Sequence, residues 1–127
     1  QLGPRDANIA QRYLLAMLFF EWNGMDWTEC TPTDDPNDID CEATCYDWLY
    51  GDPFDCDKKR WLSNSHECEW LGITCPEDRS VRGLELIYNN LNGTLPTEIA
   101  KLESLQQLSL IENFSNILIM RISGTLK

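Results

Sequence analysis

An internal repeat constrains this chain of 127 residues more than any other feature of its sequence. Four positions recur at an offset of 24 residues: Val81, Leu84, Leu86 and Asn89 are matched by Leu105, Leu108, Leu110 and Asn113. A period of this length is typical of proteins built from stacked coils, in which each coil buries its apolar face against its neighbours. The sequence therefore predicts two stacked repeats within residues 81–127.

The spacing inside one repeat predicts a short strand followed by a turn. Leu84 and Leu86 alternate as strand residues do, which points both of them into the interior. Glu85 and Ile87 then point outward. Asn89 lies where the chain leaves the strand, and its amide can satisfy backbone groups that stacked turns leave unpaired.

The second repeat is interrupted. Its closing phrase, residues 122–127, comes seven residues later than the first repeat predicts. Either a loop of that length bulges from the coil, or this end of the chain is not the natural continuation of the repeat. Since nothing in the sequence stacks on the second coil, we expect further repeats or another chain to cover its C-terminal edge, with the apolar stretch 117–120 in the contact.

Residues 6–22 are predicted to form a helix. Asp6 is the expected N-cap, no Gly or Pro interrupts the stretch, and Asn23-Gly24 supplies a left-handed stop. We expect the core-facing side of this helix to carry Ile9, Tyr13, Ala16, Met17 and Phe20. Leu14, Leu18 and Phe19 widen this face.

Residues 25–59, called the acidic insert below, show no period and contain four of the six cysteines. A loop of about 35 residues is longer than compact domains usually tolerate, so we expect disulfides or a function to hold it. Between Asp26 and Asp57 the insert has 11 carboxylates and no Lys or Arg, and the whole chain carries a formal charge of −11. Nucleic acid is therefore excluded as a partner, because a phosphate backbone requires a basic surface.

The sequence predicts no membrane span in this chain. Its longest uninterrupted apolar run, residues 13–20, has eight residues. Crossing a bilayer as a helix takes roughly 20.

The six cysteines favour disulfides over a zinc site. They are separated by 10, 3, 10, 11 and 6 residues, whereas zinc sites usually contain tight C-x2-C pairs. Three disulfides are expected, and with them an extracellular or cell-surface location. A weak calcium site is the alternative for Asp38, Asp40 and Glu42, but Ala43 stands where an EF-hand loop requires Gly. We predict no metal site and no other cofactor.

Nothing in the sequence predicts an enzyme. The single histidine, His66, stands beside Cys68, and an even cysteine count under oxidising conditions leaves no free thiol. No serine lies in a nucleophile-elbow sequence. The abundant carboxylates are typical of a solvated acidic surface, which discourages self-association.

Two motifs resemble the plant-type leucine-rich-repeat family. Residues 90–99 are similar to the plant-specific repeat L-x-G-x-[IL]-P-x-x-[IL], and residues 61–75 are similar to the N-terminal cap motif W-x-G-[VI]-x-C. The resemblance implies an α+β fold, with a disulfide-stapled cap containing one helix in residues 1–80 and a short leucine-rich-repeat solenoid in residues 81–127. The acidic insert has no counterpart in the usual cap.

The same resemblance implies one cysteine pairing. In the cap of that family the two cysteines of the motif are joined, which here implies a Cys68–Cys75 disulfide. The remaining four cysteines are expected to pair among themselves in one of three ways; they are Cys30, Cys41, Cys45 and Cys56.

By resemblance, the function is non-catalytic recognition of a protein, peptide or glycan. Extracellular domains of this family bind such ligands on the concave face of the sheet. Carried over by position, that face comprises Arg82, Gly83, Glu85, Ile87, Tyr88, Gln106, Gln107, Ser109, Ile111 and Glu112. Asn92 and Asn113 lie in glycosylation sequons, and we expect Asn92 to be modified more readily because Asn113 takes the strand-exit position.

A structural role is the alternative function. In that case the chain is an extracellular protein that assembles with copies of itself, or with other matrix components, through its repeat edge. The C-terminal edge distinguishes the recognition function from the structural one, because an edge that the chain itself leaves uncovered favours assembly.

Overall fold

The computed structural model describes residues 4–47, 50, 52–86, 89–93, 95–110 and 121–123. These residues form one helix, two small sheets and three disulfides, which fits a disulfide-stapled α+β cap. In chain order the helix and strands are α1 (Pro4–Glu21), β1 (Ala43–Tyr46), β2 (Pro53–Cys56), β3 (Ile73–Thr74), β4 (Gly83–Glu85), β5 (Gln107–Ser109) and β6 (Arg121–Ser123). Short 3₁₀ helices cover Gly24–Asp26, Glu67–Glu69 and Thr97–Lys101.

Helix α1 begins at Pro4, two residues before the expected N-cap Asp6. Proline is favoured at the first helical position because its fixed φ suits the helix and it has no N–H to leave unpaired. The helix ends where the sequence predicts, since Asn23 takes the left-handed conformation with φ of 59°.

The expected core face of α1 is confirmed at Leu18 and Phe19 and is wrong at Ile9, Tyr13 and Phe20. The side chains that pack into the core are Leu15, Leu18, Phe19 and Trp22, each at most 1% exposed. Ile9, Tyr13 and Phe20 lie on the opposite side and are 64%, 69% and 65% exposed. Apolar residues occupy every position from 13 to 20, so periodicity alone could not select the buried side.

A chain of aromatic rings joins α1, the acidic insert and the cap motif. Ring centroids lie 5.0 Å apart between Phe19 and Trp27, and 5.1 Å apart between Trp27 and Trp61. Trp61 continues to Trp70 at 5.3 Å. The indole N–H groups of Trp27 and Trp61 donate to the carbonyls of Trp22 and Leu71, so these two rings are buried with their donors satisfied. The buried indole N–H of Trp70 has no hydrogen-bond partner among the described residues.

A polar contact fixes α1 against the cap motif. Glu67, only 3% exposed, accepts hydrogen bonds from Gln11 at 2.8 Å and from the Arg12 guanidinium at 3.3 Å. The same guanidinium stacks over the Trp70 ring at 4.6 Å. Gln11 also accepts from the backbone N–H of Val81 at 2.8 Å, which ties the helix to the start of the first repeat.

The acidic insert has secondary structure of its own, contrary to the expected loop. Strands β1 and β2 form an antiparallel hairpin in which Ala43 pairs with Cys56. Disulfides join Cys45 to Cys56 within the hairpin and Cys30 to Cys41 ahead of it. The third bridge joins Cys68 to Cys75 in the cap motif.

The second sheet has four strands in the order β3-β4-β5-β6. Strands β4 and β5 are parallel, and Gly83, Leu84 and Glu85 pair with Gln107, Leu108 and Ser109. The offset of this pairing is the 24 residues of the sequence repeat.

The C-terminal edge of β5 is not open, contrary to expectation. Strand β6 pairs with β5 in the antiparallel direction, with Ile122 opposite Leu108. The late phrase at residues 122–127 therefore begins as a strand that runs back along β5.

Candidate recognition surface

The outward side of the second sheet, called the sheet face below, is built around a glycine. A Cβ placed on Gly83 would lie 3.4 Å from the Thr74 Cβ and 4.0 Å from the Gln107 side-chain oxygen, so these three positions share one side of the sheet. Ile73, Leu84 and Leu108 lie on the other side and are fully buried. The missing side chain at Gly83 leaves a shallow notch between two polar neighbours.

The structure brings several of the expected face residues together and corrects one. Arg82, Gln106 and Gln107 are exposed beside one another, and Glu85 is half-buried. Ser109 is fully buried, so its assignment to an exposed face is wrong. The expected face residues that lie outside the described ones are Ile87, Tyr88, Ile111 and Glu112.

The burial of Ser109 follows from its place in the sheet. Its strand is flanked on both sides, by Glu85 of β4 and Arg121 of β6. The side chain of Gln107, two residues earlier on the same strand, remains exposed. The Ser109 hydroxyl has no hydrogen-bond partner among the described residues.

Asn89 connects the first repeat to the acidic insert. Its side-chain oxygen accepts the backbone N–H of Glu29 at 2.8 Å. The Glu29 carboxylate in turn accepts both the backbone N–H and the hydroxyl of Thr44, each at 2.8 Å. Asn89 does satisfy a backbone group, as the sequence predicts, but that group belongs to the insert and not to a stacked turn. The contact places the β1–β2 hairpin beside the sheet.

A small cavity of about 70 Å³, the junction cavity, lies between the hairpin and the sheet. Thr44 and Tyr46 line it from the hairpin, and Thr74 and Glu85 from the sheet. Lys58 also lines it and donates to the backbone oxygens of Ile73 at 2.6 Å and Cys68 at 3.4 Å. Burial lowers the pKa of Lys58, although Glu69 and Asp57 oppose that shift.

The chemistry of the sheet face is that of hydrogen bonding. The Thr74 hydroxyl and the Gln107 amide flank Gly83, and Glu85 lies two residues further along β4, so these groups offer donors and acceptors to a polar ligand. His66 is used locally, because its Nδ1 accepts the backbone N–H of Cys68 at 3.0 Å.

Among the described residues, no group of three or more His, Cys, Asp or Glu side chains is placed to hold a metal ion. Asp40 instead pairs with Lys59 at 2.9 Å. Its hydrogen bond and that of Asp57 raise the pKa of Lys59.

Of the two glycosylation candidates, only Asn92 is among the described residues. Asn92 is exposed, and its backbone N–H donates to the Trp22 carbonyl at 3.2 Å. Asn113 lies outside the described residues.

Sequence reasoning missed the part of this surface that the insert and the cap motif contribute. Thr74 precedes Cys75 and has no motif of its own beyond that position. One feature of the sequence could have indicated the hairpin that carries Thr44. Cys45 and Cys56 are spaced so that a disulfide between them can join the two strands of a hairpin. No helix among the described residues has the length and apolar character that a membrane crossing requires.

Comparison with known proteins finds relatives in Arabidopsis thaliana. A probable leucine-rich repeat receptor-like protein kinase is 49% identical over 57 residues, which is 43% of this chain and 6% of that protein. A leucine-rich repeat receptor-like serine/threonine-protein kinase is 41% identical over 51 residues, 40% of this chain and 5% of that protein. Leucine-rich repeat protein 1 is 44% identical over 43 residues, 34% of this chain and 20% of that protein.

The chain thus spans a fifth or less of the length of these relatives. No family model matches it. No solved structure gives a significant match. The relatives are plant leucine-rich-repeat proteins and receptor-like kinases, and the resemblance drawn from the sequence motifs is confirmed over about 40% of the chain. The kinase relatives align through their leucine-rich repeats, which are not the catalytic part.

Proposed function

We propose that this chain is a non-catalytic extracellular recognition module in which residues 1–80 cap a short leucine-rich-repeat solenoid, residues 81–127. The observation that carries the proposal is the parallel pairing of β4 with β5 at the offset of the sequence repeat. That register aligns equivalent positions of successive repeats, so that a binding surface is built from one strand to the next.

The ligand contacts the sheet face. Gln107 provides an amide at the margin of the Gly83 notch. Glu85 lies two residues further along the same strand, and Arg82 is exposed just before it. This mixture suits a polar ligand, either a peptide or protein segment or a glycan, that exchanges several directional hydrogen bonds. The junction cavity borders the same face and accepts a small polar group of that ligand.

The location is extracellular. All six cysteines are paired, and disulfides persist in oxidising compartments. An exposed Asn92 in a sequon is consistent with passage through the secretory pathway, where it receives a glycan.

Self-assembly through the repeat edge is the second candidate. The position of β6 weighs against it, because β6 occupies the edge of β5 on which a second copy would pair in parallel. The acidic chain also repels its own copies.

The test uses the whole chain against a random displayed-peptide library and a glycan array. We expect at least one ligand class to be selected, and its binding to be reduced by Arg82→Glu and by Gln107→Arg. Thr97→Arg is the control for the added charge, because Thr97 is exposed on the 3₁₀ helix away from the strands.

Ligands that tolerate both face variants but respond to Thr97→Arg would contradict the proposal. Polymers that grow with protein concentration in sedimentation, without any selected ligand, would favour the structural role instead.

A further inference from the structure

The β1–β2 hairpin of the acidic insert has one covered edge and one open edge. On β1, the backbone N–H of Thr44 donates to the Glu29 carboxylate at 2.8 Å, so this edge is occupied. Among the described residues, β2 pairs with β1 alone, in a sheet of two strands. Its first three residues, Pro53, Phe54 and Asp55, are all exposed. The side of β2 that faces away from β1, called the β2 edge below, is therefore open to solvent.

The register of the hairpin shows which backbone groups point to the β2 edge. In an antiparallel pair, opposite residues alternate between bonding each other and pointing outward. The N–H of Asp47 donates to the carbonyl of Asp52 at 2.8 Å, so these two residues bond each other. Thr44 lies an odd number of residues before Asp47, so Thr44 and its partner Asp55 point outward. The bond from Thr44 to Glu29 agrees with this assignment. The N–H and C=O of Asp55 thus point away from β1.

An open edge of this kind is a template for pairing with another extended chain. The strand is short, with four residues, and Pro53 has no N–H to donate, so only a short segment can add to it. The Cys45–Cys56 disulfide joins the two strands of the hairpin. This covalent link holds the β2 edge in an extended conformation in the absence of a partner, which lowers the entropy that binding costs.

The charge on the hairpin favours one kind of added chain. Residues 42–57 contain five carboxylates and no Lys or Arg. Lys59 pairs with Asp40 and Asp57, and no ion pair among the described residues includes Asp55. Opposite charges that face each other across two strands attract, and like charges repel. A cationic residue is therefore favoured opposite Asp55.

A second copy of the chain does not fit the β2 edge. If two β2 strands pair symmetrically about Asp55, two carboxylates lie directly opposite each other. Shifting the register by two residues places Asp55 against Asp57, or against Pro53, which has no N–H. Each copy also carries a formal charge of −11, so two copies repel each other.

We propose that the β2 edge binds an extended basic segment of a partner protein, which adds to the hairpin as a third, antiparallel strand. A Lys or Arg of the segment lies opposite Asp55 and exchanges both backbone hydrogen bonds with it. The antiparallel direction is favoured because its pairing is more stable per residue than the parallel one.

The neighbours of that cation point to the opposite face of the hairpin. This face carries the Phe54 ring, which is 52% exposed. Apolar β-branched residues are favoured there, because they stabilise pairs with an aromatic residue across strands. The segment thus alternates cationic and apolar residues. The β2 edge is separate from the strands of the sheet face, so the proposal does not depend on the proposed function.

The probe is a dye-labelled seven-residue peptide of alternating lysine and valine, and a matched peptide has glutamate in place of lysine. Fluorescence anisotropy at low salt measures binding to the full chain. We expect the glutamate peptide to bind about tenfold more weakly. Asp55→Lys should reverse this preference. Asp34→Lys is the matched control, because it makes the same charge change at an exposed residue outside the hairpin, and it should keep the preference for the lysine peptide.

Backbone N-methylation of the peptide distinguishes strand addition from attraction between charges alone. In an extended strand, residues whose side chains share a face also turn their N–H groups to the same edge. The lysines lie on the Asp55 face, so their N–H groups point at β2 and those of the valines point away. Methylation of the lysine nitrogens should weaken binding about tenfold, because it removes hydrogen bonds to the β2 edge. Methylation of the valine nitrogens should change affinity by less than about twofold.

Three results would overturn the proposal. Equal affinity of the two methylated peptides would reduce the contact to attraction between charges, and this comparison on the unmodified chain holds even if Asp55→Lys fails to fold. Loss of the preference in Asp34→Lys, with none in Asp55→Lys, would place the basic peptide elsewhere on the insert. A dimer of the chain in sedimentation that the lysine peptide dissociates would make a second copy the occupant.

Discussion

The cap core and the acidic insert are stabilised in different ways, although both contain disulfides. In the cap core, Trp22, Trp61 and Trp70 are fully buried around a single bridge. Among the described residues between Asp26 and Asp57, only Trp27, Cys30 and Ala43 are buried. Two disulfides lie in this region, and each joins cysteines that are 11 residues apart in sequence. Apolar burial therefore dominates in the first region and covalent closure in the second.

The largest effect that tests this contrast is expected at Trp61. Trp61→Ala removes a fully buried ring that contacts both Trp27 and Trp70. The free energy of unfolding should fall by about 3–5 kcal/mol. Phe54→Ala on the exposed strand β2 should change it by less than about 0.5 kcal/mol. Urea denaturation followed by tryptophan fluorescence measures both, and comparable losses would remove the distinction.

Removal of a disulfide should give the next largest loss of stability. The chain-entropy model ranks Cys45–Cys56 above Cys68–Cys75, and we expect the opposite order. In that model Cys68–Cys75 contributes about 2.5 kcal/mol and the longer loop of Cys45–Cys56 about 2.8 kcal/mol. Replacing Cys68 and Cys75 by Ala should cost the whole amount, since they are part of the cooperative core. Replacing Cys45 and Cys56 should open the exposed hairpin locally and lower global stability by less.

Hydrogen exchange distinguishes these two outcomes. In the hairpin variant, amides of residues 43–46 and 53–56 should exchange quickly while those around Trp70 stay protected. Loss of protection throughout the chain would mean that the hairpin and the cap unfold as one unit.

The connection between the two regions predicts a smaller effect. Asn89→Ala removes the buried acceptor of the Glu29 backbone N–H and should destabilise the chain by about 1–3 kcal/mol. Asn64→Ala, which removes an exposed amide contact to Asn37, is the matched control and should cost less than about 0.5 kcal/mol. Equal costs at the two positions would show that the insert folds independently of the repeat.

The smallest effect concerns an exposed turn just after the cap motif. Hydrogen bonds from the Ser80 hydroxyl and backbone N–H hold the pKa of Asp78 below its ordinary 3.8. Because the folded pKa lies below the unfolded one, the contribution of Asp78 to stability is present above pH 3.8 and is lost as pH falls through the folded pKa. In an NMR titration, Ser80→Ala should raise this pKa toward 3.8. An unchanged midpoint would mean that the turn is not ordered by the hydroxyl.

The repeat could be predicted from sequence because its signal is long-range and redundant. The offset of 24 residues already contained the register of β4 against β5, since the residues that pair are the residues that correspond. Leu84, Leu86 and Leu108 were placed in the interior on the same grounds, and each is at most 1% exposed.

The sequence pattern could not predict which side of α1 is buried, and it could not predict the β1–β2 hairpin. Between residues 13 and 20 every position is apolar, so only tertiary packing decides that Phe19 is buried and Phe20 is not. Strands β1 and β2 have four residues each and show no alternation, with Asp55 inside β2. Ser109 fits the outward pattern but is buried. The sequence did not predict β6, the strand that pairs with β5 beside it.

The order of the cysteine pairs has a consequence for how the chain is made. Cys30 pairs with Cys41, Cys45 with Cys56, and Cys68 with Cys75, so every bridge joins neighbours in sequence and none encloses or crosses another. A ribosome delivers the chain from its N-terminus. When the second cysteine of each pair emerges, its correct partner is the only one of these six thiols that is still unpaired. Oxidation during synthesis can thus proceed without reshuffling, and a disulfide isomerase is needed only for chains that are released while still reduced.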